Sequence, residues 1–312
     1  MSHAVHVPVL LEETLSLLAP TPGQLYVDCT VGAAGHAAAL LERADGARLL
    51  GLDADPAMLA IARERLRPFG DRVQLVHANF AELGRVGAET GVHEADGVLF
   101  DLGVSSLHLD RPERGFSFQA DAPLDMRLDP SAGPSAADLL RDLDERQLAD
   151  VIHRFGEEPR ARRIARAIVQ ARGRDGGLRT TGQLAALVAR LAPRGRTHPA
   201  TRTFQALRIA VNRELDLLPG ALRQAHALLR DRGRLAVISF HSLEDRIVKR
   251  YVAEQSSPCI CPPRAPICTC GRSPRLEPIN RKPIVATDAE VAANPRSRSA
   301  KLRVAAQLGP PL

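Results

Sequence analysis

The chain has 312 residues, of which 45% are hydrophobic and 25% charged, enough for a full core and two domains. No stretch approaches the roughly 18 uninterrupted apolar residues of a membrane helix. A net charge of +6 points to a polyanionic partner, nucleic acid first, while 3% aromatic content without tryptophan argues against an aromatic stacking platform for single strands.

The N-terminus lacks a cationic start and carries Glu12 and Glu13 inside its apolar part. It does not read as a secretory signal, and a cytoplasmic location is expected. "VLLEETLSLL" (9–18) has helical spacing and stops at Pro20 and Pro22. "QLYVDC" (24–29), "ARLLGLDAD" (47–55), "VQLVHANF" (73–80) and "ADGVLFDLG" (95–103) read as strands. The helices "HAAALLERA" (36–44) and "PAMLAIARERL" (56–66) separate the first three. The strand runs are continuously apolar, as in a parallel sheet covered on both faces.

From 104 to about 200 no strand is expected. Helices are predicted over 135–155 with Ser135 as N-cap, over 158–173, and over 180–193. A long helical region from 201 leads through Gly233 into the strand "RLAVISF" (234–240). "SLEDRIVKRYVAE" (242–254) is a helix capped by Ser242. "KPIVAT" (282–287) and "AKLRVAAQL" (300–308) close the sheet. The expected fold is α/β, a Rossmann-like, mostly parallel sheet with an inserted helical domain. The catalytic domain takes 1–110 and 205–312, and the insertion takes 111–204.

Ligands of open α/β sheets bind outside the carboxyl ends of the strands. Those ends carry Asp28, Asp53, Phe80 and Asp101. Singly, each acid reads as a loop residue or a helix cap. Four such residues at successive strand ends point to a nucleoside site. Asp53 suits a ribose, Phe80 an adenine ring, and Asp101 the reacting end. A dinucleotide would want a G-x-G-x-x-G loop for its pyrophosphate. The loop "VGAAG" (31–35) keeps only Gly32 and Gly35. S-adenosylmethionine, which has no phosphate, relaxes that demand.

Several long blocks carry a resemblance. "HVPVLLEETL" (6–15), "YVDCTVGAAGH" (26–36), "DLGVSS" (101–106), "DAPLDMR" (121–127), "HPATRTFQALRIAVNREL" (198–215), "ISFHSLEDRIVK" (238–249) and "NPRSRSAKLR" (294–303) resemble the bacterial 16S ribosomal RNA cytosine-N4 methyltransferase family, also called the MraW family. The resemblance covers nearly the whole chain. It implies a class I S-adenosylmethionine-dependent methyltransferase with an inserted substrate-recognition domain. It also implies transfer of a methyl group to the exocyclic N4 amine of a cytidine in the decoding region of 16S rRNA. The implied partner is 16S rRNA in the 30S subunit, with monomer and homodimer both open. The implied cofactor contacts are Ala34, Gly35, His36, Asp53, Phe80, Asp101 and His108, with Asp101 also catalytic. The family usually has glycine in place of Ala34 and Pro-Gln in place of Leu107-His108.

Other groups invite chemistry. His241, Ser242, Glu244 and Asp245 could form a hydrolase triad, though helix capping by Ser242 is simpler. His198, Arg202 and the arginines at 160, 162, 163 and 166 suit RNA phosphate or a structural role equally. Cys259, Cys261, Cys268 and Cys270 form two C-x-C pairs. They could supply four thiolates to zinc at tighter spacing than usual, and no metal is assigned to the site. The rival readings are a methyltransferase of another substrate and an RNA-binding assembly factor.

Overall fold

The computed structural model describes residues 8–173, 177–191, 197–261, 267 and 269–309. The chain divides into two compact units, residues 1–103 with 215–312, and residues 104–214. Residues 104–110 and 205–214 therefore group with the second unit, unlike the division expected from sequence. The cause is packing: Val104, Leu109, Phe204 and Leu207 all join the core of the helical unit.

The first unit starts with α1 (Leu11–Leu18), β1 (Leu25–Asp28), α2 (Gly35–Arg43), β2 (Arg48–Asp53), α3 (Pro56–Leu66), β3 (Val73–His77), α4 (Leu83–Thr90) and β4 (Ala95–Asp101). The second unit holds α5 (Ser106–Leu109), α6 (Ala136–Asp142), α7 (Glu145–Gly156), α8 (Ala161–Arg172), α9 (Thr181–Leu191) and α10 (Thr201–Asn212). The chain then resumes with α11 (Glu214–Leu228), β5 (Leu229–Ser239), α12 (Ser242–Gln255), β6 (Leu276–Pro278), β7 (Ile284–Val285), α13 (Asp288–Ala293) and β8 (Lys301–Gln307).

The sheet order is β3-β2-β1-β4-β5-β8-β6, with β7 also on β8. β1 to β5 run parallel, and β8 is antiparallel to β5. The chain winds outward from β1 through β2 to β3, then returns to place β4 on β1's other side. The β1/β4 junction is thus a topological switch point, where a crevice opens beyond the strand ends. Alternate residues feed opposite faces. Tyr26 and Leu49 join one core with Leu15, Leu41 and Leu59. Val27, Leu50, Val98 and Phe100 join the other with Leu218 and Leu222. Burial on both faces is why the strand sequences are continuously apolar. Each buried leucine contributes about 1.5–3 kcal/mol.

In the second unit the core runs through Leu148, Ile152, Ile164, Ile168, Leu184 and Val188. Its described residues hold one isolated bridge, Pro123 to Thr180. The helix expected over 135–155 is two helices. Asp144 accepts a hydrogen bond from Gln147 N at 2.8 Å and starts a new helix. Ser135 caps the first helix as expected. The long helix after 201 breaks at Arg213, whose φ is +52°. The strand expected from 234 begins at Leu229 and bulges before Arg234, where the register with β4 shifts. The cap of α12 is His241, whose Nδ1 faces Glu244 N at 3.4 Å, not Ser242.

Candidate active site at the strand ends

The loop after β1 is fastened on both sides. Cys29 N donates to Leu99 O on β4 at 2.9 Å, and Val31 N donates to Leu52 O on β2 at 2.8 Å. Thr30 Oγ1 accepts from Asp101 N at 2.7 Å. Gly32 N donates to Asp53 Oδ2 at 2.7 Å, and Asp55 N to Asp53 Oδ1 at 2.8 Å. These bonds draw Asp28, the loop, Asp53 and Asp101 together at the switch point.

The two glycines do different jobs. Gly32 sits at φ +51°, the left-handed region. Gly35 opens α2, and a Cβ there would lie 2.3 Å from Pro8 Cγ. Ala34, in the position where the resembled family has glycine, also takes φ +60° and is fully buried. The backbone keeps the glycine-like conformation at a cost of about 1–2 kcal/mol for an L-residue.

His36 turns inward. Its side chain is 5% exposed, with Nε2 3.1 Å from Val9 O and Nδ1 3.6 Å from Asp101 Oδ2. A carbonyl only accepts, so Nε2 carries a proton toward Val9 O, which leaves Nδ1 beside Asp101 Oδ2 at more than hydrogen-bond distance.

The acids crowd together with histidines beside them: His36 Nδ1 lies 3.6 Å from Asp101 and His241 Nε2 3.2 Å from Glu244. Burial pushes Asp28 up to about 7; a hydrogen bond from Thr30 N opposes the shift and the charge of Asp53 adds to it. Asp101 rises to about 8 through burial first, then through the charges of Asp28 and Glu244. Its side chain still has 28% exposure, while Oδ1 is buried without a hydrogen-bond partner. Glu244 is 2% exposed and accepts from Phe240 N at 2.9 Å. Such a set of acids favours a cationic ligand, since a positive charge restores the ionised forms. A sulfonium and an ammonium on one nucleoside fit that demand, and the residues present suit S-adenosylmethionine.

Asp53 accepts from Gly32 N and Asp55 N, which fixes its carboxylate at the end of β2. Phe80 is half-buried and meets Phe100 edge-on, with centroids 6.0 Å apart. Asn79, which precedes Phe80, has its side chain committed to Ala81 N at 2.9 Å as a cap.

His108 belongs to the second unit. It is 4% exposed, its Nδ1 accepts from Ser105 N at 3.0 Å, and its ring lies 5.3 Å from Phe116. In that unit His198 packs on Phe118 at 4.6 Å, and Arg202 donates to Glu157 O at 3.2 Å. Arg160, Arg162, Arg163 and Arg166 are exposed at and along α8, with Arg166 3.3 Å from Glu145.

The acids of "FHSLED" do not form a hydrolase triad. Asp245 pairs with Arg303 at 2.6 Å and Lys301 at 3.2 Å, which holds its carboxyl below the usual range despite burial. It ties α12 to β8. Sequence reasoning noted Asp28 and Glu244 but gave neither a role at the site. Their importance lies in charge proximity, which only the fold reveals.

The sequence matches the family model described as "MraW methylase family" over residues 3–308. It is 54% identical to the "Ribosomal RNA small subunit methyltransferase H" of Geobacter sulfurreducens over 309 residues, 97% of this chain and 99% of that protein. The protein of the same description from Symbiobacterium thermophilum is 53% identical, over 97% of this chain and 96% of the relative. That from Dehalococcoides mccartyi is 52% identical, over 97% of this chain and 86% of the relative. A parallel sheet with its acids at the switch point, joined to these matches over nearly the full length, places the chain in the MraW methylase family, with the class I methyltransferase fold.

Proposed function

We propose that this chain transfers a methyl group from S-adenosylmethionine to the exocyclic N4 amine of a cytidine in the decoding region of 16S rRNA. The observation that carries this reading is the carboxylate set of Asp28, Asp53 and Asp101 at three neighbouring strand ends. Two of the three, Asp28 and Asp101, are pushed toward neutrality by burial first and by neighbouring acids second. The relatives' shared description supports a small-subunit rRNA substrate.

S-adenosylmethionine supplies an electrophilic methyl group on a sulfonium. The loop Ala33–Gly35 meets its amino-acid end through backbone groups. Asp53 accepts from the ribose, and Phe80 flanks the adenine. Catalysis by in-line displacement then rests on positioning and electrostatics. The cytosine amine is a poor nucleophile because its lone pair is delocalised into the ring. Asp101 Oδ1, buried and unpartnered, is an acceptor for an amine N–H. It favours the pyramidal nitrogen and takes the departing proton. The exposed arginines of α8 offer a cationic surface for RNA phosphates. His108 stays in the proposal on the resemblance alone, and titration of His108→Ala with cofactor tests it.

The experiment is incorporation of labelled methyl into 30S subunits, naked 16S RNA and DNA. Label in 16S RNA recovered as N4-methylcytidine supports the reading. Label only in DNA overturns the substrate. Cofactor binding without label in any nucleic acid overturns the activity.

A further inference from the structure

The segment between α12 and β6 supplies none of the residues assigned above to methyl transfer, yet its described residues gather three thiols. Its base is closed by Arg275 N donating to Gln255 O at 2.8 Å, with Arg272 reaching Gln255 Oε1 at 3.3 Å. Its large apolar side chains, Ile260 and Ile267, are 59% and 74% exposed. Against that background Cys259, Cys261 and Cys270 converge, with their sulfurs all within 4.8 Å of one another.

The geometry points to a zinc site formed by Cys259, Cys261 and Cys270. Tetrahedral bonding with zinc–sulfur bonds of about 2.3 Å places two sulfurs about 3.8 Å apart. The Cys259 and Cys270 sulfurs are 3.8 Å apart. Cys261 N points at Cys259 Sγ at 3.3 Å, the N–H···S contact that steadies a thiolate. None of the three is joined in a disulfide, and each is partly exposed, open enough to take up an ion. Three converging thiols suit a metal better than a disulfide, which would use only two. Binding releases the thiol protons to solvent and ties the two ends of the segment together. Zinc here is a clip on the segment and takes no part in the reaction. The fourth cysteine of the two pairs, Cys268, lies outside the described residues, and the inference does not rest on it.

The test uses the full chain, prepared without chelators or metal-affinity columns. Elemental analysis is expected to give one zinc per chain. Reduced, chelator-stripped protein titrated with Co²⁺ is expected to develop thiolate-to-cobalt charge-transfer bands. Cys259→Ser, Cys261→Ser and Cys270→Ser should each abolish those bands, and Cys29→Ser should keep them. Should a serine variant fail to fold, zinc protection of the wild-type segment 256–274 against limited proteolysis carries the same test. No metal uptake by the stripped protein overturns the inference. So does unchanged uptake in Cys261→Ser, or a Cys259–Cys270 disulfide found by alkylation mapping.

Discussion

The two units use charge in opposite ways. In the second unit the long family-like blocks are saturated with their own partners. Asp125 takes both guanidinium contacts of Arg127, at 2.9 and 2.7 Å. Arg208 pairs with Glu214 through two bonds, and Asn212 joins Leu128 N to the carbonyls of Met126 and Arg208. In the first unit Asp28 and Asp101 are buried near other acids. A distinctive block can therefore be scaffold, and an inconspicuous strand-end acid can be chemistry. Paired groups stabilise a fold, whereas uncompensated ones lower stability and persist where a ligand completes them.

The sharpest way to break this contrast is Asp101→Asn. Loss of the proton acceptor should lower kcat for methyl transfer by about 100-fold or more. Melting temperature should hold at neutral pH and rise above about pH 8, where the buried carboxyl would otherwise ionise. Full turnover would remove Asp101 from the mechanism. Next comes Asp53→Asn, which keeps the shape but removes half the acceptor capacity. Cofactor Kd by calorimetry should rise about tenfold, roughly 1.4 kcal/mol. An unchanged Kd would separate Asp53 from the ribose.

The second unit should answer differently. A Cβ on Gly156 would lie 2.5 Å from Arg202 O, where α7 meets α10. Gly156→Ala is expected to destabilise by about 1–3 kcal/mol in denaturant titration, with cofactor Kd unmoved. A large loss of affinity at full stability would contradict the division of labour.

Much of this was legible in the sequence, and the misses have physical causes. β1 to β4 announced themselves as apolar runs ending at an acid or a turn. α4 did not, because Gly84 and Gly87 weaken helix propensity in "LGRVGAET". β6 is three residues long and ends in Pro278, too short for a pattern. The break at Asp144 was masked by apolar spacing that continues through it. Asp53, Phe80 and Asp101 stood out by strand-end position, whereas Ala34, Gly35, His36 and His108 entered only through the family resemblance. That His36 faces inward, and that Glu244 raises Asp101, depends on side chains brought together from distant segments.

A subtler contrast is pH. Asp28 and Asp101 have folded pKa values raised to about 7 and about 8. Above the ordinary carboxylate range, near pH 4, the unfolded chain holds fewer protons than the folded one. These two groups therefore lower stability as pH rises from about 4 to about 8. A cationic cofactor binds the ionised forms. Its affinity should increase severalfold between pH 6 and pH 8, and that slope should flatten in Asp101→Asn. A slope of opposite sign would mean the acids do not face the cation.

The smallest effect is expected at Ala34. Ala34→Gly relieves about 1–2 kcal/mol of left-handed strain. It adds about 0.4–1 kcal/mol of chain entropy cost and removes a buried methyl group contributing about 0.8 kcal/mol. The terms nearly cancel, so stability should move by less than about 1 kcal/mol in denaturant titration and cofactor Kd should stay within about twofold.

The most direct test is labelled methyl transfer to 30S subunits whose 16S RNA lacks the modification, with the product nucleoside identified after digestion. Wild-type protein should yield N4-methylcytidine, and Asp101→Asn should yield almost none while still binding cofactor. Equal yields from the two proteins, or label in no RNA at all, would contradict the account.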